Sequence, residues 1–554
     1  MNSQNTLEPP LTIAAAPRVG YILLGITAVL YGALLLFLPV NAPSDIYNSP
    51  DEMANAFFGK GIAEDGHITR NAFHKNLPSS VTPRSILRAN DSLIPVGFVS
   101  VPVLFSIFIK LFGFKGMMLF FAAFAALALL AWHQFLRAVF GSRLALLTTF
   151  LTAIHPLILY WNERPLIPSA WFLSCIFVSL YFLGKLMHLR SSHLPSDIGI
   201  ELESPVARQR KAERYIFSAL GGFLFGLALV LRPQEAIWLL LIPLGLLVTS
   251  QFRKKVSLLP YFVGAAIPIS LLLILQRSLY GSVLGTGYHL TPFSAPFLEI
   301  LGNFIMPFGF DPEHMLSIVA TYGGGMVWWS TSIALLGMVA VAFRKDGRLL
   351  KRLRVWFMVF LCAAVWLVWW YGSFVIHDRI DTLASIGTSF TRYFLPLYAM
   401  MMPFVAYALF RIRARLGGVV VAIVVVLLAV LSLRIAMWST DESLAAIPDV
   451  LMQNQQIQKR VVDVTPPDAI IFTERLDKAI FPAREVVTRF RTFDQPRFEE
   501  LYGFNLYYET IADPSVVAWE QSTFWGPHGL EAVNPVALGY RHTLYKLEIL
   551  NPKL

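Results

Sequence analysis

Charge is what this 554-residue sequence lacks. Only 14% of its residues are Asp, Glu, Lys or Arg, against about 25% in an ordinary soluble domain, so a wholly soluble chain is excluded. Cysteine is nearly absent: Cys175 and Cys362 both lie inside apolar runs, which leaves no basis for a disulfide framework or a cysteine-ligated zinc. There is no Walker phosphate loop and no dinucleotide fingerprint, which argues against ATP-driven transport within this chain. There is no repeat with a period of roughly 20–50 residues, no heptad run and no low-complexity tract. The opening residues, MNSQNTLEPPLTIAAAP, carry no basic stretch. The first apolar run therefore reads as a retained anchor, not a cleaved signal.

What is present is apolar length. The chain is 56% hydrophobic, and many of its runs approach the roughly 20 residues needed to cross hydrocarbon. This predicts a polytopic α-helical membrane protein. The formal charge of +10 is not a nucleic-acid signature, because Lys and Arg fall in short clusters between apolar runs. These are RAVFGSR (137–143), RQRKAER (208–214), FRKK (252–255), RKDGRLLKRLR (344–354) and RIRAR (411–415). Placed on the cytoplasmic side, with residues 1–18, they predict eleven crossings: 19–40, 117–136, 144–161, 166–186, 215–231, 236–250, 256–276, 326–343, 355–371, 392–410 and 417–437. Segment 93–113, with two prolines and Lys110, reads as an interfacial or re-entrant helix. Loops 41–93, 277–325 and 372–391 then lie outside, together with the 438–554 tail. The tail contains PPDAIIFTERLDKAIFPAREVV, whose short β-branched runs and polar turns predict a small α/β or mostly β domain.

Ionisable groups collect at the outer ends of these crossings. Ser49-Pro50-Asp51-Glu52 follows the first run. As a helix start it is a capping box, with Ser49 as N-cap, Pro50 first and Glu52 third. Glu163 and Arg164 occupy one tight turn, and Arg232 and Glu235 another. His377, Asp378, Arg379 and Asp381 lie in the third outer loop, and Arg392-Tyr393 opens a late crossing. An arginine can hold a phosphate through its planar fork, and a carboxylate can take a proton from an attacking hydroxyl or amine. Structural readings compete. Glu52 can simply cap, Glu163 can pair with Arg164, and Arg392 and Arg232 can anchor at the interface. His289, in Gly-Thr-Gly-Tyr-His, is either a loop residue or a substrate contact. His155, before Pro156 inside a run, reads as a packed histidine. Trp328-Trp329 and Trp369-Trp370-Tyr371 fit an aromatic belt.

Taken in order, SPDEMANAFFGKGIAEDG, an interfacial segment ending KLFG, HPLILYWNERPLIPSAWFLS, ALGGFLFGLALVLRPQEAIWLLLIPL, YGSVLGTGYH and SIGTSFTRYFLPLYAM resemble the GT-C superfamily of membrane glycosyltransferases. Protein O-mannosyltransferases and lipid A aminoarabinose transferases are among its members. The resemblance covers residues 19–437 and not the tail. It implies a polyprenyl-phosphate sugar donor and a protein, lipid or glycan acceptor. It also implies an extracytoplasmic site in a multi-pass protein of a bacterial or archaeal plasma membrane. It makes Asp51 the catalytic base. The second acid of the family pattern, after Arg-Pro, is replaced here by Leu166, so Glu163 is the substitute. Relatives carry a phosphate-binding lysine before the interfacial helix; here Arg88 stands near that place. Arg392 and Tyr393 match a late phosphate-binding pair, and Glu52 and Arg164 complete the expected substrate contacts. Metal dependence varies in the superfamily. A divalent metal stays open, because no ligand spacing identifies one here. Three rivals also stay open. A transporter or flippase would place acids at mid-span in related halves. An O-antigen ligase or polymerase using a lipid-linked glycan would use His377 and Arg379. A non-catalytic member would act as an assembly partner.

Overall fold

The computed structural model describes residues 17–43, 45–89, 91–188, 205–248, 259–283, 285, 287, 305–344, 347–375, 384–440, 442–488 and 498–550. Eight helices among them are long and apolar enough to cross a bilayer, or ten if each of two bent helix pairs is one crossing. The eleventh expected crossing falls on Ala236–Val248, a 13-residue apolar helix that is shorter than a full span.

The breaks have local causes. Ser100–Phe140 runs for 41 residues, about 60 Å at the helical rise, or twice a bilayer core. It is interrupted at Gly113, whose φ of 73° leaves the right-handed helix. The kink separates the expected interfacial segment from the apolar run after it. Ser142–Ile154 and Pro156–Asn162 meet at 61°. Pro156 drives the preceding His155 to an extended backbone, φ −63° and ψ 125°, as a residue before proline prefers. Pro312–Gly325 and Trp328–Phe343 meet at 95°, next to the Gly323-Gly324-Gly325 run. Elsewhere small residues bring helices into backbone contact. A Cβ on Gly222 would lie 1.9 Å from the Tyr261 carbonyl oxygen, and one on Gly264 would lie 2.1 Å from that of Ala219. Helices Pro205–Leu231 and Leu259–Tyr280 are thereby locked together.

At one end of the bundle the chain becomes polar. The first loop holds the helix Pro50–Asp65 and a three-stranded antiparallel sheet, Arg70–Asn71, Ser92–Pro95 and Ile86–Ala89. The tail forms a helix, Ile447–Val464, and a five-stranded mixed sheet in the order Glu485–Val487, Ala469–Phe472, Asn505–Thr510, His542–Ile549, Leu530–Gly539. The first three strands are parallel and the last two antiparallel to their neighbours. The tail is thus α/β, and it shares a core with the first loop. Met53, Phe58, Ile86 and Leu93 pack with Ile457, Ile471, Ile480 and Phe481 in one buried cluster.

Arg88 belongs to this junction. Its Nη2 meets Glu485 Oε1 at 2.8 Å, with both side chains 1% exposed. Its other nitrogens donate to the Val81 and His74 carbonyls. The side chain expected at a phosphate instead joins loop to tail, because a buried carboxylate from a distant strand needs its charge. R88M would strand Glu485, a loss of about 3–5 kcal/mol for breaking a buried pair from one side. The variant is expected to melt earlier and to release the tail to limited proteolysis, and R88M/E485M to recover most of the loss. Wild-type protease resistance in R88M would show the pair to be dispensable.

Candidate functional site

The first loop's helix begins as its sequence dictates. The Ser49 hydroxyl accepts from the Glu52 N–H at 3.2 Å, and Glu52 Oε2 accepts from the Ser49 N–H at 3.0 Å. Proline stands first in the helix, where its missing N–H costs nothing. Glu52 also takes a two-pronged contact from Arg164, Nε to Oε1 and Nη2 to Oε2, each 2.8 Å. Arg164 lies over the Trp161 ring and donates to the Tyr160 hydroxyl at 3.1 Å. Both members of the pair are buried. Glu52 therefore fixes the helix start and ties it to the turn between two spans.

With Glu52 turned inward, Asp51 is left part-exposed, at 29%. Its Oδ1 accepts from the Ser85 hydroxyl at 2.7 Å and its Oδ2 from Arg392 Nη1 at 2.8 Å. Burial opposes the charged form, but the Arg392 guanidinium, the Ser85 hydroxyl and Arg164 outweigh it, and the carboxyl is held below the usual carboxylate range. Ser85 itself sits at φ 67°, a left-handed conformation costly for a residue with a Cβ. That conformation delivers its hydroxyl to Asp51. Sequence reasoning passed over Ser85, since the only hint is the turn-prone Thr82-Pro83-Arg84-Ser85.

Arg392 sits on the short helix Ser389–Tyr393, and two hydrogen bonds hold it besides the one to Asp51. Its Nη2 donates to the Tyr393 hydroxyl at 3.4 Å. Tyr393 stacks on Tyr371 with ring centres 3.9 Å apart and planes 9° from parallel. Arg232, buried and paired with Glu235 at 2.6 Å, donates to the Arg392 carbonyl at 3.1 Å. Among the described residues, the buried Arg392 Nε has no hydrogen-bond partner.

The remaining expected residues lie elsewhere. Glu163 turns away from Asp51: its Oε2 accepts the Leu38 N–H at 3.1 Å, at the start of helix Phe37–Asn41. Burial pushes its carboxyl up to about 8, partly offset by the Leu38 and Phe37 N–H groups. The turn places Glu163 and Arg164 on opposite sides, and only Arg164 enters the site. Arg88 is at the loop–tail junction described above. His289 and the 377–381 group lie outside the described residues. His155 is fully buried and stacks on Tyr398. Among the described residues no three His, Cys, Asp or Glu side chains converge as metal ligands. The site thus joins a part-exposed carboxylate to a guanidinium with one unpartnered nitrogen. It can accept a proton beside a bound anion.

No protein-family profile matches the chain, and no curated protein matches it in sequence. Solved structures do. The chain is similar to ArnT from Cupriavidus metallidurans bound to undecaprenyl phosphate, with a TM-score of 0.53 and 13% identity over 96% of this chain and 98% of that one. It is more distantly similar to the Archaeoglobus fulgidus oligosaccharyltransferase tethered with an acceptor peptide, with a TM-score of 0.44 and 14% identity over 85% of this chain and 64% of that one. The first likeness, end to end in both chains, gives the fold: a GT-C-type helical membrane domain followed by its tail.

The Ser85 contact separates backbone strain from electrostatics. S85G relieves the positive-φ strain and S85A keeps it, so S85G is expected to be the more stable by about 1 kcal/mol in thermal unfolding. Both remove a hydrogen bond that favours ionised Asp51, so both raise its pKa. A depressed carboxylate loses its charge as pH falls through its pKa. The acid limb of any activity that needs ionised Asp51 should therefore move to higher pH in both variants. Unmoved limbs would detach Ser85 from Asp51.

Proposed function

We propose that the chain is an inverting glycosyltransferase that moves a sugar from a polyprenyl-phosphate donor to a protein, lipid or glycan acceptor on the extracytoplasmic face. The GT-C-type fold supports the class. The observation that carries the reading is the Asp51–Arg392 contact at 2.8 Å, in which one partner suits proton abstraction and the other suits a phosphate.

The donor phosphate binds Arg392 through its nitrogens, including the unpartnered Nε. Once phosphate takes the guanidinium, Asp51 loses its principal counter-charge and gains an anionic neighbour. Both changes raise its pKa and make it a better base. Asp51 then takes the proton of the acceptor hydroxyl or amine. The acceptor's electron pair forms a bond to the anomeric carbon from the face opposite the phosphate. The carbon–oxygen bond to phosphate breaks, and polyprenyl phosphate leaves with that electron pair. One displacement inverts the anomeric centre. Phosphate is a good leaving group, so no general acid is needed. Arg392 meets the growing charge, and Glu52, Arg164 and Ser85 hold Asp51 in line. A divalent metal, where one is used, would add charge neutralisation at the same phosphate.

Replacing Asp51 by Asn is expected to lower sugar transfer by about 10²–10⁴-fold, read as radiolabelled sugar moved from a panel of polyprenyl-phosphate donors to membrane extracts. E163Q should stay within a few-fold of wild type, because the Glu163 carboxyl is engaged by the backbone N–H groups of a helix start and makes no contact with Asp51. A correctly folded D51N that transfers at the wild-type rate would remove Asp51 from catalysis. Loss of transfer in E163Q with normal stability would restore Glu163 as a second acid.

A further inference from the structure

The tail reaches the site through Lys478. This residue is second in the four-residue helix Asp477–Ile480. Asp477 beside it is fully buried and clamped by Arg84, from the backbone N–H at 2.9 Å and from Nη2 at 2.7 Å. Arg84 is the neighbour of Ser85, which holds Asp51. Lys478 Nζ donates to the Asn48 carbonyl at 2.7 Å, one residue before the capping Ser49. The ammonium thus stands at the mouth of the helix that carries Asp51. Around it lie two cations, Arg84 and Arg164, and two carboxylates, Asp477 and Glu52.

Both carboxylates are already taken, Asp477 by Arg84 and Glu52 by Arg164. Among the described residues, Lys478 forms no ion pair. An ammonium has three N–H donors, and the Asn48 carbonyl engages one of them. A half-buried cation set beside two others, with no carboxylate of its own, is costly to keep unless an anion visits it. Burial and the neighbouring Arg84 lower its pKa to about 8, which fits the same surplus of positive charge. A pin between tail and loop would not require a charge, since a neutral amide donates to a carbonyl equally well.

We propose that Lys478 is an anion-binding residue, contributed by the tail, that takes the phosphate of the lipid-linked donor. The assignment rests on the proposed transferase reading. It makes the tail a part of the site.

The test uses the full chain in lipid nanodiscs, titrated with undecaprenyl phosphate, undecaprenol and inorganic phosphate, with binding read by native mass spectrometry. Wild type should prefer undecaprenyl phosphate to undecaprenol. K478Q keeps a donor for Asn48 but loses the charge, and should bind undecaprenyl phosphate roughly 10- to 100-fold more weakly. K478R should recover most of that loss, and both variants should melt like wild type. Unchanged affinity in a stable K478Q would overturn the assignment and leave Lys478 as a pin. A K478Q that melts early, with K478R failing to restore binding, would do the same. Wild type that does not distinguish undecaprenyl phosphate from undecaprenol is a different result and would overturn the transferase reading as well. Inorganic phosphate bound as tightly as the lipid, and weakened equally by K478Q, would overturn the lipid as the source of the anion.

Discussion

Charge in a place with little water has to be matched, and the site end of this molecule is arranged by that requirement. A buried ion without a partner costs several kcal/mol, and four carboxylates at this end have each found a guanidinium. Most of these partners come from far along the chain. Glu52 meets Arg164, Asp51 meets Arg392, Arg84 meets Asp477 and Arg88 meets Glu485. Each pair joins two segments that backbone hydrogen bonds do not connect. Together they tie the first loop to a turn between spans, to the start of a late span and to the tail. Such pairs add little net stability over apolar contacts of similar shape. Their value here is registry: each carboxylate has one guanidinium at the right distance, so the loop can close in one way.

The same requirement explains what the sequence revealed and what it hid. Local features were legible. The capping box at Ser49–Glu52, the break near residue 113, the apolar runs and an α/β tail all follow from spacing and composition within about 20 residues. The pairing of charges was not legible, because it depends on which distant segments meet. Glu163 and Arg164 are adjacent, and nothing in the sequence says that one caps a helix at residues 37–41 while the other enters the site. Arg88 is near a position where a phosphate ligand was expected, but its partner is a strand almost 400 residues on. Ser85 gave no pattern because its role depends on an unusual φ, and the tail's part depends on a shared core around Phe481 and Ile86. The resemblance singled out Asp51 and Arg392, which the structure brings together, and did not lead to Ser85, which holds Asp51.

The contact between Asp51 and Arg392 carries an apparent contradiction. A carboxylate stabilised by a guanidinium and a hydroxyl is a weak base, and a guanidinium already holding a carboxylate is a poor phosphate ligand. Yet a resting site with both groups unpaired would be worse, since each would then be a largely buried charge without a partner. The pair resolves this because neither partner is fully committed. Asp51 keeps 29% of its side chain exposed and Arg392 keeps 16%, and Arg392 Nε has no partner among the described residues. On the transferase reading, a phosphate that takes the guanidinium has two hydrogen bonds to displace, Nη2 to the Tyr393 hydroxyl and Nη1 to Asp51 Oδ2. Glu52 does not follow Asp51 when that bond breaks, because the fork to Arg164 and the Ser49 cap hold it. The helix start therefore stays in place while one carboxylate changes partners. On the same reading, two adjacent acids are needed where one would be enough for proton transfer. The buried acid then keeps the geometry fixed, and the proposed role of its part-exposed neighbour, exchanging a counter-ion for a proton, needs no shift of the loop.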